Sequence, residues 1–236
     1  MSKLLSVNVD AKTIKGKKKG YLTGILYLAP AETSGINVCA MATAGCKAGC
    51  LNKAGRAGIF PAIEIARIRK TRELFADRAA FMAQLSKDIH ALIRKAERED
   101  LIPCVRVNGT SDLPWLAQEM ASRFPNVIHY DYTKLAGAAE RMTSNYHLTF
   151  SHSESNLESC IDALDHGTSV AVVFDTRKGH VLPNEWHGYK VIDGDVSDLR
   201  FLDAPGVVVG LRAKGPAKHD CSGFVIPTST LTQIAL

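Results

Sequence analysis

The chain lacks the features that would place it in a membrane, outside the cell or in several pieces. None of its 236 residues lies in an uncharged apolar stretch of about eighteen or more, the length that a spanning helix needs. Behind Lys3 and Leu4-Leu5 there is no apolar run. Asp10, Lys12 and Lys15 follow at once, so no secretory signal is read and a cytoplasmic location is expected. No tract rich in Pro, Ser and Gly interrupts the chain, and one domain over residues 1–236 is the simplest organisation. The net charge of +5 is modest, and the basic residues gather in two runs. Lys12, Lys15, Lys17, Lys18 and Lys19 form the first, in a basic N-terminal arm over residues 1–20. Arg67, Arg69, Lys70 and Arg72 form the second. Such runs can hold nucleic acid; the plainer expectation is a solvated arm and the wet face of a helix.

What is present in an unusual place is cysteine. A cytoplasmic chain keeps its thiols reduced, so disulfides are a poor explanation for six cysteines. Three of them, Cys39, Cys46 and Cys50, fall within one segment, residues 31–58, rich in Gly, Ala, Ser and Thr. A usual zinc site combines two distant pairs of ligands, whereas here one triplet stands alone with no histidine close by. Three thiolates on one loop, leaving a fourth position to something else, suit a [4Fe-4S] cluster. Ala42, Ala44, Gly45, Ala48 and Gly49 leave room for backbone amides to approach the sulfides. Zinc and three buried thiols are the alternatives. Cys104 and Cys160 sit among apolar residues and read as core thiols.

Strand-like runs recur along the chain: Tyr21 to Leu28, Ile102 to Val107, Val127 to Tyr130, Tyr146 to Phe150, Ser169 to Phe174, Lys190 to Ile192 and Val207 to Leu211. Helical patterns intervene, from Pro61 to Leu74, from an Asp77 cap to about Asp100, from Leu113 to Phe124 and from Asn156 to His166. Alternating strands and helices mean an α/β fold with a largely parallel sheet. Each of the last six strands runs into polar or charged residues at its C-terminal end. That arrangement favours a partial or complete β/α (TIM-like) barrel, with those ends at one mouth, over an open doubly wound sheet. In a closed barrel the first and last strands are neighbours, so Cys221, in the loop after the last strand, could complete the metal site. The alternative is an iron left open to substrate.

The expected mouth carries Asp112, Asp131, Lys134, His152, Glu154, Asp175, Asp193, Asp195, Arg212 and Lys214, with Tyr130 and Tyr132 as stacking faces or phenolic donors. Lys134, His152, Asp193, Arg212 and Lys214 are the candidate catalytic residues. Asn108, Asp112, Asp131 and Tyr132 are the candidate cofactor-binding ones. Asp112 and Ser155 could equally be helix caps.

Val38-Cys39, Gly45-Cys46, Cys50-Leu51 and Ala54-Gly55-Arg56 resemble a family of uncharacterised phage and prophage proteins named after a mycobacteriophage gene product. Asn108-Gly109-Thr110-Ser111-Asp112, Tyr130-Asp131-Tyr132-Thr133-Lys134, Asp193-Gly194-Asp195 and Gly210-Leu211-Arg212-Ala213-Lys214-Gly215 look like further blocks, and the resemblance extends from about Ile25 onward. It implies a viral origin, hence the host cytoplasm, and no assigned reaction. The cysteine loop after a first barrel strand is also similar to that of radical S-adenosylmethionine enzymes, although their spacing is usually Cys-x3-Cys-x2-Cys. That similarity implies S-adenosylmethionine as a second cofactor, with Asn108-Gly109-Thr110 standing in for a glycine-rich strand end. The expectation is an iron–sulfur protein, a redox or radical-type enzyme acting on a small molecule or nucleotide. The alternative is a nucleic-acid-binding phage protein with a structural metal.

Overall fold

A computed structural model describes residues 2–7 and 11–229, with the side chains of Ala11 and Lys12 outside the description. The elements in chain order are β1 (Leu5–Val7), α1 (Ala11–Lys17), β2 (Tyr21–Leu26), α2 (Ala44–Ala48), α3 (Gly55–Ile59), α4 (Pro61–Ala76) and α5 (Arg78–Arg98). They continue with β3 (Ile102–Arg106), α6 (Pro114–Arg123), β4 (Ile128–Thr133), α7 (Ala138–Arg141), β5 (Tyr146–Ser151), α8 (Leu157–Asp165) and β6 (Val170–Phe174). The chain closes with β7 (Glu185–Trp186), β8 (Tyr189–Asp193), β9 (Val208–Arg212) and β10 (Val225–Ile226). The seven strand-like runs are all strands, shifted at their ends by a few residues. The short β1, β7 and β10 were not legible, because two or three residues carry no periodicity.

Ten strands form one mixed α/β sheet in the order β1-β2-β3-β4-β5-β6-β9-β8-β7, with β10 beside β6. From β2 to β8 every pairing is parallel; β1 and β7 are antiparallel margins. Strands buried on both faces explain continuous apolar runs such as VAVVF. The pairing path is open, and among the described residues no pair joins its two ends.

Helices α5, α6 and α8 cover one face and build the main core around Phe81, Leu85, Ile89, Leu116, Met120 and Leu164. Asp77 caps α5 by accepting from the Ala80 amide at 2.9 Å, as its position predicts. Cys104 and Cys160 are fully buried, as core thiols should be. The opposite face is crossed by the chain that follows β8. There Leu199 packs with Cys104 and Tyr130, and Phe201 meets the rings of Tyr21 and Tyr130 edge-on. Arg106 donates to Asp198 at 2.9 Å, and Lys15 of α1 donates to the Asp195 carbonyl at 3.1 Å.

Three expectations are corrected. The N-terminal segment is docked rather than a loose arm, since β1 pairs with β2 and Leu4 and Leu5 are buried, although Lys15, Lys17, Lys18 and Lys19 are exposed as expected. Their amides donate to Asp88, while Lys70 Nζ donates to the Leu4 carbonyl at 2.6 Å. The second basic run is a solvated face only in part, with Arg69 and Arg72 exposed. Arg67 and Lys70 point inward, Arg72 donates to the Ser34 carbonyl and Arg69 pairs with Glu73. Finally, β9 lies between β6 and β8 instead of beside β2. The chain after β9 doubles back, and β10 takes the edge of β6 at Val173 and Phe174, beyond the point where β5 stops pairing.

Gly109 fixes how closely the first strand end meets the second. Its amide donates to the Leu26 carbonyl, and a Cβ there would lie 2.7 Å from Ile25 Cγ2 and 2.8 Å from the Leu26 oxygen. Gly109→Ala is therefore expected to destabilise the protein by about 1–3 kcal/mol in urea unfolding; an unchanged midpoint would show that the two strand ends can part freely.

Candidate functional site

The cysteine loop lies across the carboxyl ends of β3, β4 and β5. At its start, Cys39 forms a parallel bridge with Asp112, the Asp112 amide donates to the Val38 carbonyl at 2.8 Å, and Cys39 Sγ stands 3.7 Å from the Thr110 carbonyl. Further along, the Glu154 carboxylate accepts from Thr43 Oγ1 at 2.6 Å and from the Gly45 amide at 2.7 Å. Thr43 in turn caps α2, accepting from the Cys46 amide at 3.3 Å. Gly45 must be glycine, since a Cβ would sit 2.1 Å from Ser222 Oγ and 2.7 Å from Phe224 Cβ. The Phe224 ring also packs on Gly49, and Cys46 packs against the small cluster formed by Ala213, Ala217, Phe224 and Val225. Cys221 is exposed, one residue from the Ser222 that covers Gly45.

The three thiols share one electrostatic environment. Burial pushes the Cys39 thiol up to about 11, with added repulsion from Cys50, Asp112 and Cys46. Burial also raises Cys50, Cys46 adds to this, and the Arg67 and Lys134 cations oppose it. Both groups are thiols at neutral pH, so taking up a metal as thiolates would release protons. Among the described residues no group of three His, Cys, Asp or Glu side chains is gathered tightly enough to hold a metal ion directly.

Several expected residues do converge here. Asp112 does not cap α6; its carboxylate accepts from Thr133 Oγ1 and from the Lys134 amide at 2.8 Å, and burial raises its pKa. The cap position belongs to Leu113, whose amide donates to Asn108 Oδ1 instead. Lys134 lies 5.8 Å from the Phe224 ring centre and acts on Cys50 and His152. His152 is buried against Trp186, with Nδ1 lacking a hydrogen-bond partner. Burial first, and then Lys134, bring its pKa down to about 4, which keeps the imidazole neutral at pH 7. Ser155 caps nothing; Asn156 precedes α8 and accepts from the Ser153 amide.

The others stand apart. Asn108 spends its side chain on Ser111, Leu113 and Asp131, and it organises a turn. Asp131 is buried beneath it, accepting from the Asn108 amide at 2.9 Å, and burial pushes its pKa up to about 7. Tyr132 lies under the Arg106 guanidinium on the face crossed by Asp198. Arg212 donates to Asp193 at 2.9 Å and Asp195 at 3.3 Å, and Lys214 donates to Asp195 at 2.6 Å, so these four form one ion network. The network adjoins the loop's end, where Gly215 packs on Ala54.

One participant was missed. Arg67 of α4 is buried, donates to the Asn52 side chain, and lies 4.7 Å over the Tyr27 ring while acting on Cys50. Its position three and seven residues before Lys70 and Leu74, on one helix face, was the available signal.

Fold and site together define an α/β protein whose early cysteine loop is laid over the carboxyl ends of a parallel sheet. The chain belongs to the GP88 (Gene product 88) family, a phage-type family whose model matches residues 3–227. No curated protein and no solved structure matches it. No helix among the described residues is long and apolar enough to cross a membrane.

Partial burial pushes the Glu154 carboxyl up, but hydrogen bonds from Thr43, from its own backbone and from Gly45 outweigh this and leave its pKa lowered. A depressed folded pKa contributes stability above the unfolded value that is lost as pH falls through the folded one. The loop is therefore expected to stay clamped at neutral pH and to loosen in acid. In Glu154→Ala it should be loose at pH 7, read as faster hydrogen exchange of the Gly45 amide; equal protection in both proteins would refute the clamp.

Proposed function

We propose that the protein is an iron–sulfur protein, a redox or radical-type enzyme, in which Cys39, Cys46 and Cys50 hold a [4Fe-4S] cluster at the carboxyl ends of the strands. The observation that carries this is that all three cysteines lie on one loop over those ends, with Cys39 bridged to Asp112 and Cys46 on the short helix that Glu154 clamps through Thr43 and Gly45. The donor chemistry fits, because three thiolates and a fourth open position are what such a cluster takes. When bound, it supplies low-potential electrons or an iron able to take a substrate atom or S-adenosylmethionine.

The chain's own residues have separable roles. Thr43 and Glu154 orient the loop, while Arg67 and Lys134 put positive charge beside Cys50 and so favour thiolate there. The neutral His152 offers a buried nitrogen that can accept a proton. Asp112 and Lys134 are the nearest candidates to orient a small molecule or nucleotide, with Asp193, Arg212 and Lys214 building a fixed charged wall beyond them. Cys221 is the candidate fourth ligand from the chain, and a substrate or cofactor atom is the alternative. We read the sheet as curled toward a partial barrel. The support is the ring of Phe201, which lies 5.2 Å from Tyr21 of β2, 5.4 Å from Tyr130 of β4 and 5.8 Å from His147 of β5, so side chains from both sides of β3 converge on one point. Reduced thiols fit the host cytoplasm as its location.

Nucleic-acid binding draws less support, because Arg67, Lys70, Lys15 and Lys17 are engaged within the protein.

Anaerobic reconstitution is expected to give a brown protein with about four irons per chain, and any one of Cys39→Ala, Cys46→Ala or Cys50→Ala should cut the iron content severely. Colourless protein with one tightly held zinc would sink the proposal. Cys221→Ala with an unchanged spectrum would leave the fourth position to an exogenous ligand, and a change in the reduced cluster's EPR signal on adding S-adenosylmethionine would identify it.

A further inference from the structure

Helix α4 turns its polar side inward and leaves apolar side chains in water. Arg67, Lys70, Thr71 and Leu74 are buried, whereas Ile65 is 66% and Phe75 46% exposed, with Ile68 half-buried. Helix geometry puts these residues on one surface. Pro61, Ile68 and Phe75 are seven residues apart, close to two full turns, so they stand in line, and Ile65 lies beside that line about one turn from Ile68. Ile65, Ile68 and Ala76 also line one shallow groove of about 400 Å³, together with Arg69, Arg72 and Glu73. An apolar face of this kind, rimmed by charged residues, marks an interaction site.

The charges on the face have both signs, and their placement is symmetrical about Ile68. Glu64 lies four residues before it and Arg72 four residues after it, and both are exposed. Arg69 and Glu73 are paired with each other, whereas Glu64 and Arg72 form no ion pair among the described residues. A partner of one charge, nucleic acid included, would find either Glu64 or Arg72 opposed to it. A second α4 laid parallel would set Glu64 beside Glu64. Turned end for end about a two-fold axis at Ile68, it sets Glu64 against Arg72 and Pro61 against Phe75, each twice, and brings the two Ile68 side chains together.

We propose that the outward face of α4 is a dimer interface, covered by α4 of a second copy of this chain lying antiparallel about Ile68. The interface is on the side of the helix away from the buried Arg67, and it requires nothing bound at the cysteines. One helix face is a small contact, so the dimer is weak, with a Kd of about 10–100 μM expected.

The test is sedimentation equilibrium of the purified full-length protein under reductant, from about 5 μM to about 500 μM, a range that brackets such a Kd. The wild type is expected to pass from monomer to dimer across it. Glu64→Arg and Arg72→Glu should each weaken the dimer about tenfold, because each sets like charges together at both pairs. The double variant Glu64→Arg/Arg72→Glu should return to within about threefold of wild type, since reversing both members recreates the pairs. Ile65→Asp, at a position already open to water, should remain monomeric with an unchanged near-ultraviolet circular dichroism spectrum. A wild type that stays monomeric at the highest concentration overturns the proposal. So does a dimer that the single variants leave unchanged, which would place the interface elsewhere. A double variant that dimerises no better than the single ones also overturns it, because the antiparallel register would then be wrong.

Discussion

The carboxylate of Glu154, accepting from the Thr43 hydroxyl and the Gly45 amide, ties a glycine-rich loop to the end of β5, and the placement of the cysteines depends on it. A segment with this much Gly and Ala has little intrinsic order and a high entropic cost of fixing. Two anchors meet that cost: the backbone bridge from Cys39 to Asp112 at one end and the Glu154 clamp at α2. Between them the loop has to pass over the ends of β3, β4 and β5. Parallel pairing puts all those ends on one edge of the sheet, so a single loop can meet groups drawn from widely separated parts of the chain.

Much of this was legible and some was not, for reasons that differ by residue. The seven long strands could be read because strands buried on both faces need continuous apolar runs. Their order could not: β9 sits inside β8 because the chain makes a β7–β8 hairpin and then returns, which no local pattern encodes. Asp112 looked like a helix cap from its neighbours in sequence, yet its carboxylate is taken by Thr133 and Lys134 across the strand ends. Arg212, Asp193, Asp195 and Lys214 were recognisable as charged strand ends. Only the fold shows that they bind one another, which makes them a rigid wall rather than four available groups.

Helix α4 shows most clearly where pattern reading turns the wrong way. Counting apolar residues puts Ile63, Ile65, Ala66, Ile68 and Leu74 inside, yet only Leu74 is fully buried and Ile65 is exposed. The helix instead buries Arg67 and Lys70, because backbone carbonyls, Asn52 and the Tyr27 ring await them. Buried cations persist only where they are paired or hydrogen-bonded. Here one holds the first strand in place and the other brings positive charge to Cys50.

The covering of the loop by Phe224 has a consequence in time as well as in space. Phe224 and Ser222 precede β10, whose place beside β6 exists only after β6 has formed. A ribosome therefore delivers the cysteines early and their cover late. Until the last part of the sheet is laid down, Gly45 and Gly49 lack the Ser222 and Phe224 side chains that pack on them in the finished fold.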